Sequence, residues 1–75
     1  MSRIKALRAN ELIRVLEKAG FTRARQTGSH IILTKPRKRS IPVPVHAKTL
    51  KRDLQEDLFK QAELSDKAVQ RLLDE

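Results

Sequence analysis

The sequence predicts a small α+β domain in the order α-β-β-β-α: a three-stranded antiparallel sheet, two helices on one of its faces, and a short extra helix at the C-terminus. Three observations carry this. Apolar residues fall at helical spacing between Asn10 and Ala19 and again between Leu50 and Ala62. Three short strand-like runs lie between these stretches, set apart by glycine and proline turns. The connections are short, so neighbouring strands pair antiparallel and one sheet face needs the helices to bury it.

In the first helix Leu12, Ile13, Val15, Leu16 and Ala19 share a stripe, Asn10 is a natural N-cap, Glu11 suits the first turn and Lys18 the last. Gly20 is the stop, because glycine takes the left-handed conformation that ends helices. Residues 1–9 read as a basic arm ahead of a 10–62 core, although Ala6, Leu7 and Ala9 are also good helix formers.

Phe21 to Gln26 is a weak strand that gains force from the run after it. His30-Ile31-Ile32-Leu33-Thr34 is β-branched and bounded by Gly28-Ser29 and Pro36. The two form a hairpin, with Gly28 free to take a positive φ in the Thr27-Gly28-Ser29 turn. Pro36-Arg37-Lys38-Arg39 makes the next turn. The third run, Ser40 to Val45, carries Pro42 and Pro44, which lack ladder N–H groups and confine it to a sheet edge. Leu50, Leu54, Leu58 and Ala62 then recur every four residues with Phe59 beside them, a second amphipathic helix for which Thr49 or Asp53 could be the cap. Ser65-Asp66 opens a last helix over 65–74 carrying Val69, Leu72 and Leu73. Such an order resembles the double-stranded-RNA-binding fold, a likeness of topology that implies no function by itself.

Seventy-five residues allow one small domain, residues 1–75, with about 60% of the unfolded surface buried on folding. There is no cysteine, hence no disulfide framework and no thiolate metal site. No window approaches the roughly 18 apolar residues of a membrane span, and the N-terminus has no apolar signal core. A cytoplasmic protein with no membrane contact is the expectation.

The net charge is +8, and its distribution is lopsided. Residues 1–52 hold 14 Lys and Arg against 2 acids, a net of +12, whereas residues 53–75 hold 3 against 7, a net of −4. From Lys18 to Arg52 there is no Asp or Glu at all. An unneutralised positive stretch of this kind attracts polyanions. With Phe21 and Phe59 the only aromatics, contact with nucleic acid would be electrostatic rather than stacked.

Two histidines could carry chemistry. His30 shares one strand face with Ile32 and Thr34, while Ile31, Leu33 and Lys35 take the other. It reads either as a half-buried strand residue bonding a carbonyl or as a titrating group among cations. RNA is cleaved without a metal when a base takes the 2′-OH proton, an acid protonates the leaving 5′-oxygen and cations stabilise the charge on phosphorus. The acid-free window argues against an oxygen-ligand Mg²⁺ site there, and two histidines alone make a poor zinc site. No cofactor is expected. His46 reads as a turn residue, a phosphate contact or a secondary acid/base. Arg23 and Arg25, two apart, are expected on one strand face as a phosphate track, with Lys48, Lys51 and Arg52 as further phosphate contacts. Arg37, Lys38 and Arg39 read as a solvated turn or a phosphate clamp. A Ser29–His30 nucleophile pair is poor geometry, because adjacent strand residues point to opposite faces and no orienting acid is near.

The run from Asn10 to Phe21, then Arg25-Gln26-Thr27-Gly28-Ser29-His30, then Ile41-Pro42-Val43-Pro44-Val45-His46, then Leu50 to Ser65, resembles the HicA toxin family over residues 10–73. The most specific part is the Gly28-Ser29-His30 motif followed by the Val-Pro-x-His segment of Val43 to His46. The resemblance implies a small double-stranded-RNA-binding-like fold and an mRNA interferase whose single catalytic histidine matches His30. It also implies a HicB-like antitoxin partner that masks the site. The chain departs from the family pattern at Asp53-Leu54-Gln55, where Gly-Thr-Leu is common, at Leu33, where an aromatic is frequent, and at Glu63, where a glycine usually follows the alanine.

Three functions compete: an endoribonuclease toxin acting on mRNA through His30, with Arg23, Arg25, Gly28, Ser29, His46, Lys48, Lys51 and Arg52 holding RNA; a non-catalytic RNA- or DNA-binding module on the same surface; and a pure interaction protein. Cleavage separates the first from the others, whereas salt-dependent binding does not.

Overall fold

A computed structural model describes residues 4–45 and 49–75. Its elements are α1 (Ala9–Lys18), β1 (Thr22–Thr27), β2 (His30–Thr34), β3 (Ile41–Pro44), α2 (Arg52–Gln61) and α3 (Asp66–Asp74). The strands form one antiparallel sheet in the order β1-β2-β3, so β3 is an edge as its prolines require, and β1 is the other edge. The α+β order predicted from the pattern is the one observed.

Leu33, Ile41 and Val43 are fully buried beneath the helices, which settles the pleat: Ile31 and Leu33 face the core and His30, Ile32 and Thr34 the opposite side. Leu12, Ile13, Val15 and Leu16 bring α1 onto this face, and Leu58 and Phe59 bring α2. Val69 docks α3 against the same core. Among the described residues, no helix is long and apolar enough to cross a membrane.

Four local expectations are corrected. First, α1 starts at Ala9 with Arg8 as N-cap, two residues ahead of the expected Asn10. A guanidinium has no acceptor, so the cap is made from the other side: the Arg8 N–H donates to Glu11 Oε1 at 3.0 Å. Second, the part of the basic arm that is described packs into the fold, with Ile4 and Leu7 buried. The apolar pair spaced by three was a signal that the surrounding charges obscured.

Third, α2 is capped by neither Thr49 nor Asp53; its N-cap is Lys51, which makes no side-chain cap bond. Asp53 lies instead in the first turn, favourable for the helix dipole. Fourth, the four-residue repeat places Leu54 in the core, yet Leu54 is 38% exposed and the neighbouring Gln55 is 1% exposed. Gln55 wins the buried position because its amide satisfies two main-chain groups: Oε1 accepts the Leu7 N–H at 2.7 Å and Nε2 donates to the Lys5 carbonyl at 2.9 Å. The Leu50 N–H donating to the Leu7 carbonyl at 2.8 Å completes the attachment.

Both of the first two helices end in the same double bond. The Gly20 and Phe21 N–H groups donate to the Glu17 and Leu16 carbonyls, and the Glu63 and Leu64 N–H groups to those of Lys60 and Phe59. Gly20 meets the positive-φ requirement as predicted, at 104°; the second helix meets it with Glu63, at 59°. Lys35 covers the first of these ends, donating to the Ala19 carbonyl at 2.8 Å and lying over the Phe21 ring.

Candidate functional site

The hairpin loop is two residues long, since Thr27 pairs with His30. Gly28 has φ 52°, and an added Cβ there would meet nothing within 4 Å, so glycine is present for backbone freedom alone. The Val45 N–H donates to the Ser29 carbonyl at 2.8 Å, which ties this loop to the end of β3. His30 therefore begins the central strand on a loop held from both sides. Its ring lies part-buried on the face away from the helices, with Nδ1 3.3 Å from Ser29 Oγ. The expectation that Ser29 and His30 diverge is corrected to this extent: the turn bends Ser29 back toward the imidazole.

A bulge in β1 redistributes the arginines. Arg23 pairs with Leu33 and Arg25 with Ile32, leaving Ala24 unopposed. Leu33 and Ile32 point to opposite faces, so Arg23 and Arg25 do too. The expected one-face track does not form. Arg25 shares the open face with His30, Ile32 and Thr27, whereas Arg23 turns to the helix side and pairs with Glu17 at 3.3 Å. Periodicity counts residues, and a bulge adds one.

Arg23 instead joins Arg8, Ala9, Asn10, Ile13, Ile31 and Val45 around a cleft of about 520 Å³. Arg8 and Asn10, at the start of α1, line this cleft although neither is a candidate from the sequence: Arg8 falls in the stretch that reads as an arm, and Asn10 reads as the helix cap. Topology brings more charge to this end: β3 runs back to the hairpin loop, and α2 follows after a seven-residue connection, with Lys51 and Arg52 exposed. The positive ends of both α1 and α2 are thus at the end of the sheet that carries Gly28, Ser29 and His30. His46 and Lys48 lie outside the described residues. Among those described, no group of three or more His, Cys, Asp or Glu side chains is placed to hold a metal ion.

No curated protein matches the chain. A family model described as the HicA toxin of bacterial toxin–antitoxin systems matches residues 9–64, from the first residue of α1 through the bonded end of α2. That span holds the hairpin loop, the bulged strand and the start of α2, and it covers most of the domain; the chain belongs to the HicA toxin family, whose members are paired with an antitoxin.

Proposed function

We propose that this chain is a metal-independent endoribonuclease that cleaves mRNA and is held in check by a HicB-like antitoxin. The observation that carries the reading is His30, part-exposed on the open sheet face beside Arg25, its ring reached by Ser29 and its loop secured to β3. A nitrogen acid/base within a cationic surface is what metal-free cleavage needs.

With Nδ1 turned to Ser29, the His30 Nε2 is the atom left for the substrate. As base it takes the 2′-OH proton; the 2′-oxygen forms a bond to phosphorus as the bond to the 5′-oxygen breaks. The protonated His30 then gives up its proton, through water, to that oxygen, leaving a 2′,3′-cyclic phosphate and a 5′-hydroxyl end. Arg25, Lys51 and Arg52 offset the charge that builds on the phosphoryl oxygens, with Arg23, Gly28, Ser29, His46 and Lys48 as the remaining RNA contacts.

The test incubates the purified chain with a long single-stranded RNA in EDTA, beside His30→Ala. The toxin reading expects fragmentation that resists EDTA and disappears in the variant while RNA binding remains. Equal cleavage by the variant would sink the role of His30. Tight binding with intact RNA would favour the non-catalytic module, which the same basic surface also supports.

A further inference from the structure

At the end of the sheet opposite the hairpin loop lies a second cleft, of about 460 Å³, between the β2–β3 turn and the end of α2. Its walls are Arg37, Lys38, Arg39, Lys60, Gln61 and Glu63. Four cations thus face one carboxylate, and that carboxylate is taken by Lys38. Arg37, Arg39 and Lys60 have no acidic partner among the described residues. The walls include no apolar side chain, unlike the centre of a protein–protein interface, so recognition here rests on charge and hydrogen bonding.

The backbone singles out the same place. Arg37 (φ 66°) and Glu63 (φ 59°) are the two described non-glycine residues at positive φ, and both line this cleft. The Lys38 N–H donates to the Lys35 carbonyl, so Arg37 occupies the position where a turn begun by proline favours glycine or asparagine. The proline turn accounts for φ at Arg37 and the helix end for φ at Glu63, and the two together bring a charged residue from each side to the same cleft.

We propose that this cleft is a phosphate-binding subsite for RNA, gripping the backbone of a strand whose scissile bond lies at His30. It deepens the RNA reading given above and rests on it. Lys35, the first residue past β2 and two before Arg37, is five residues from His30, roughly 16 Å at the usual strand rise. Only RNA several nucleotides long spans that distance, so the subsite would favour long messages over short fragments.

The experiment measures binding of a long single-stranded RNA and of a trinucleotide, over a range of salt, by the full chain carrying His30→Ala with and without Arg37→Gln, Arg39→Gln and Lys60→Gln together. The triple change should lower the log–log salt slope for long RNA by about 2 and weaken its binding about tenfold, leaving the trinucleotide unaffected. An unchanged slope, or equal loss for both RNAs, overturns the subsite. Loss of antitoxin binding with RNA binding intact overturns it in favour of a protein surface. Should the triple variant melt early, Lys60→Gln alone must still lower the slope, by about 0.7. Binding is read apart from cleavage: a wild-type chain that leaves RNA intact while the slope falls defeats the nuclease reading alone, and one that cleaves RNA while the slope holds defeats the subsite alone.

Discussion

Ser29 Oγ lies 3.3 Å from His30 Nδ1, a contact between neighbours that an undistorted strand would keep apart. It anchors one ring nitrogen and leaves the other for the substrate. Ser29→Ala should therefore slow RNA cleavage by about tenfold with little change in melting temperature, while Ser29→Thr keeps most of the activity. A rate for Ser29→Ala equal to wild type would remove Ser29 from the mechanism.

Arg25 and Arg23 are the sharpest pair for testing the bulge. Arg25→Gln should lower kcat/KM for RNA by about tenfold, as the loss of one cation at the developing charge would. Arg23→Gln, on the other face and already paired with Glu17, should alter cleavage less. Parallel single-turnover assays of the two variants decide it, and equal losses would contradict the assignment of faces.

Gln55 is a stability residue whose effect a surface reading would miss. Gln55→Ala strips both amide bonds from the Lys5–Leu7 segment and opens a void in the core, at a cost of about 2–4 kcal/mol. Gln55→Leu fills the volume but leaves the Leu7 N–H unsatisfied, so it should recover only part of that. Denaturant midpoints of both variants give the ordering.

The Lys38–Glu63 pair makes part of the stability depend on pH. Hydrogen bonding and charge from Lys38, with a smaller contribution from Lys35, hold the Glu63 carboxyl below its usual range. A depressed carboxylate stabilises the fold above the ordinary pKa of 4.5 and loses that contribution as pH falls through its lowered value. Glu63→Gly relieves the positive φ but gives up the pair. Its melting temperature relative to wild type should thus rise as the pH is lowered below 4.5. A difference that does not vary with pH would mean the pair contributes nothing.

Much of the fold was legible because local signals agreed with one another. The α1 stripe, Gly20, the Gly28-Ser29 loop and Ser65, whose hydroxyl accepts the Ala68 N–H, each act within a few residues. The two helix starts were harder, since Arg8 and Lys51 are not capping residues and the ends are set by packing and by Glu11.

The sequence by itself determined the α+β order, the acid-free basic stretch from Lys18 to Arg52, and the placing of His30 at the head of a strand after a glycine turn. These follow from periodicity, charge and turn chemistry, which operate between near neighbours. Only the tertiary structure decided that Gln55 rather than Leu54 enters the core, that Ala24 sends Arg23 and Arg25 to opposite faces, and that Arg37 and Lys60 line one cleft. Each depends on groups far apart in the chain: an unsatisfied N–H at Leu7, a register fixed by β2, and a turn meeting a helix end. Such partners are absent from any local window, so no pattern of spacing can contain them.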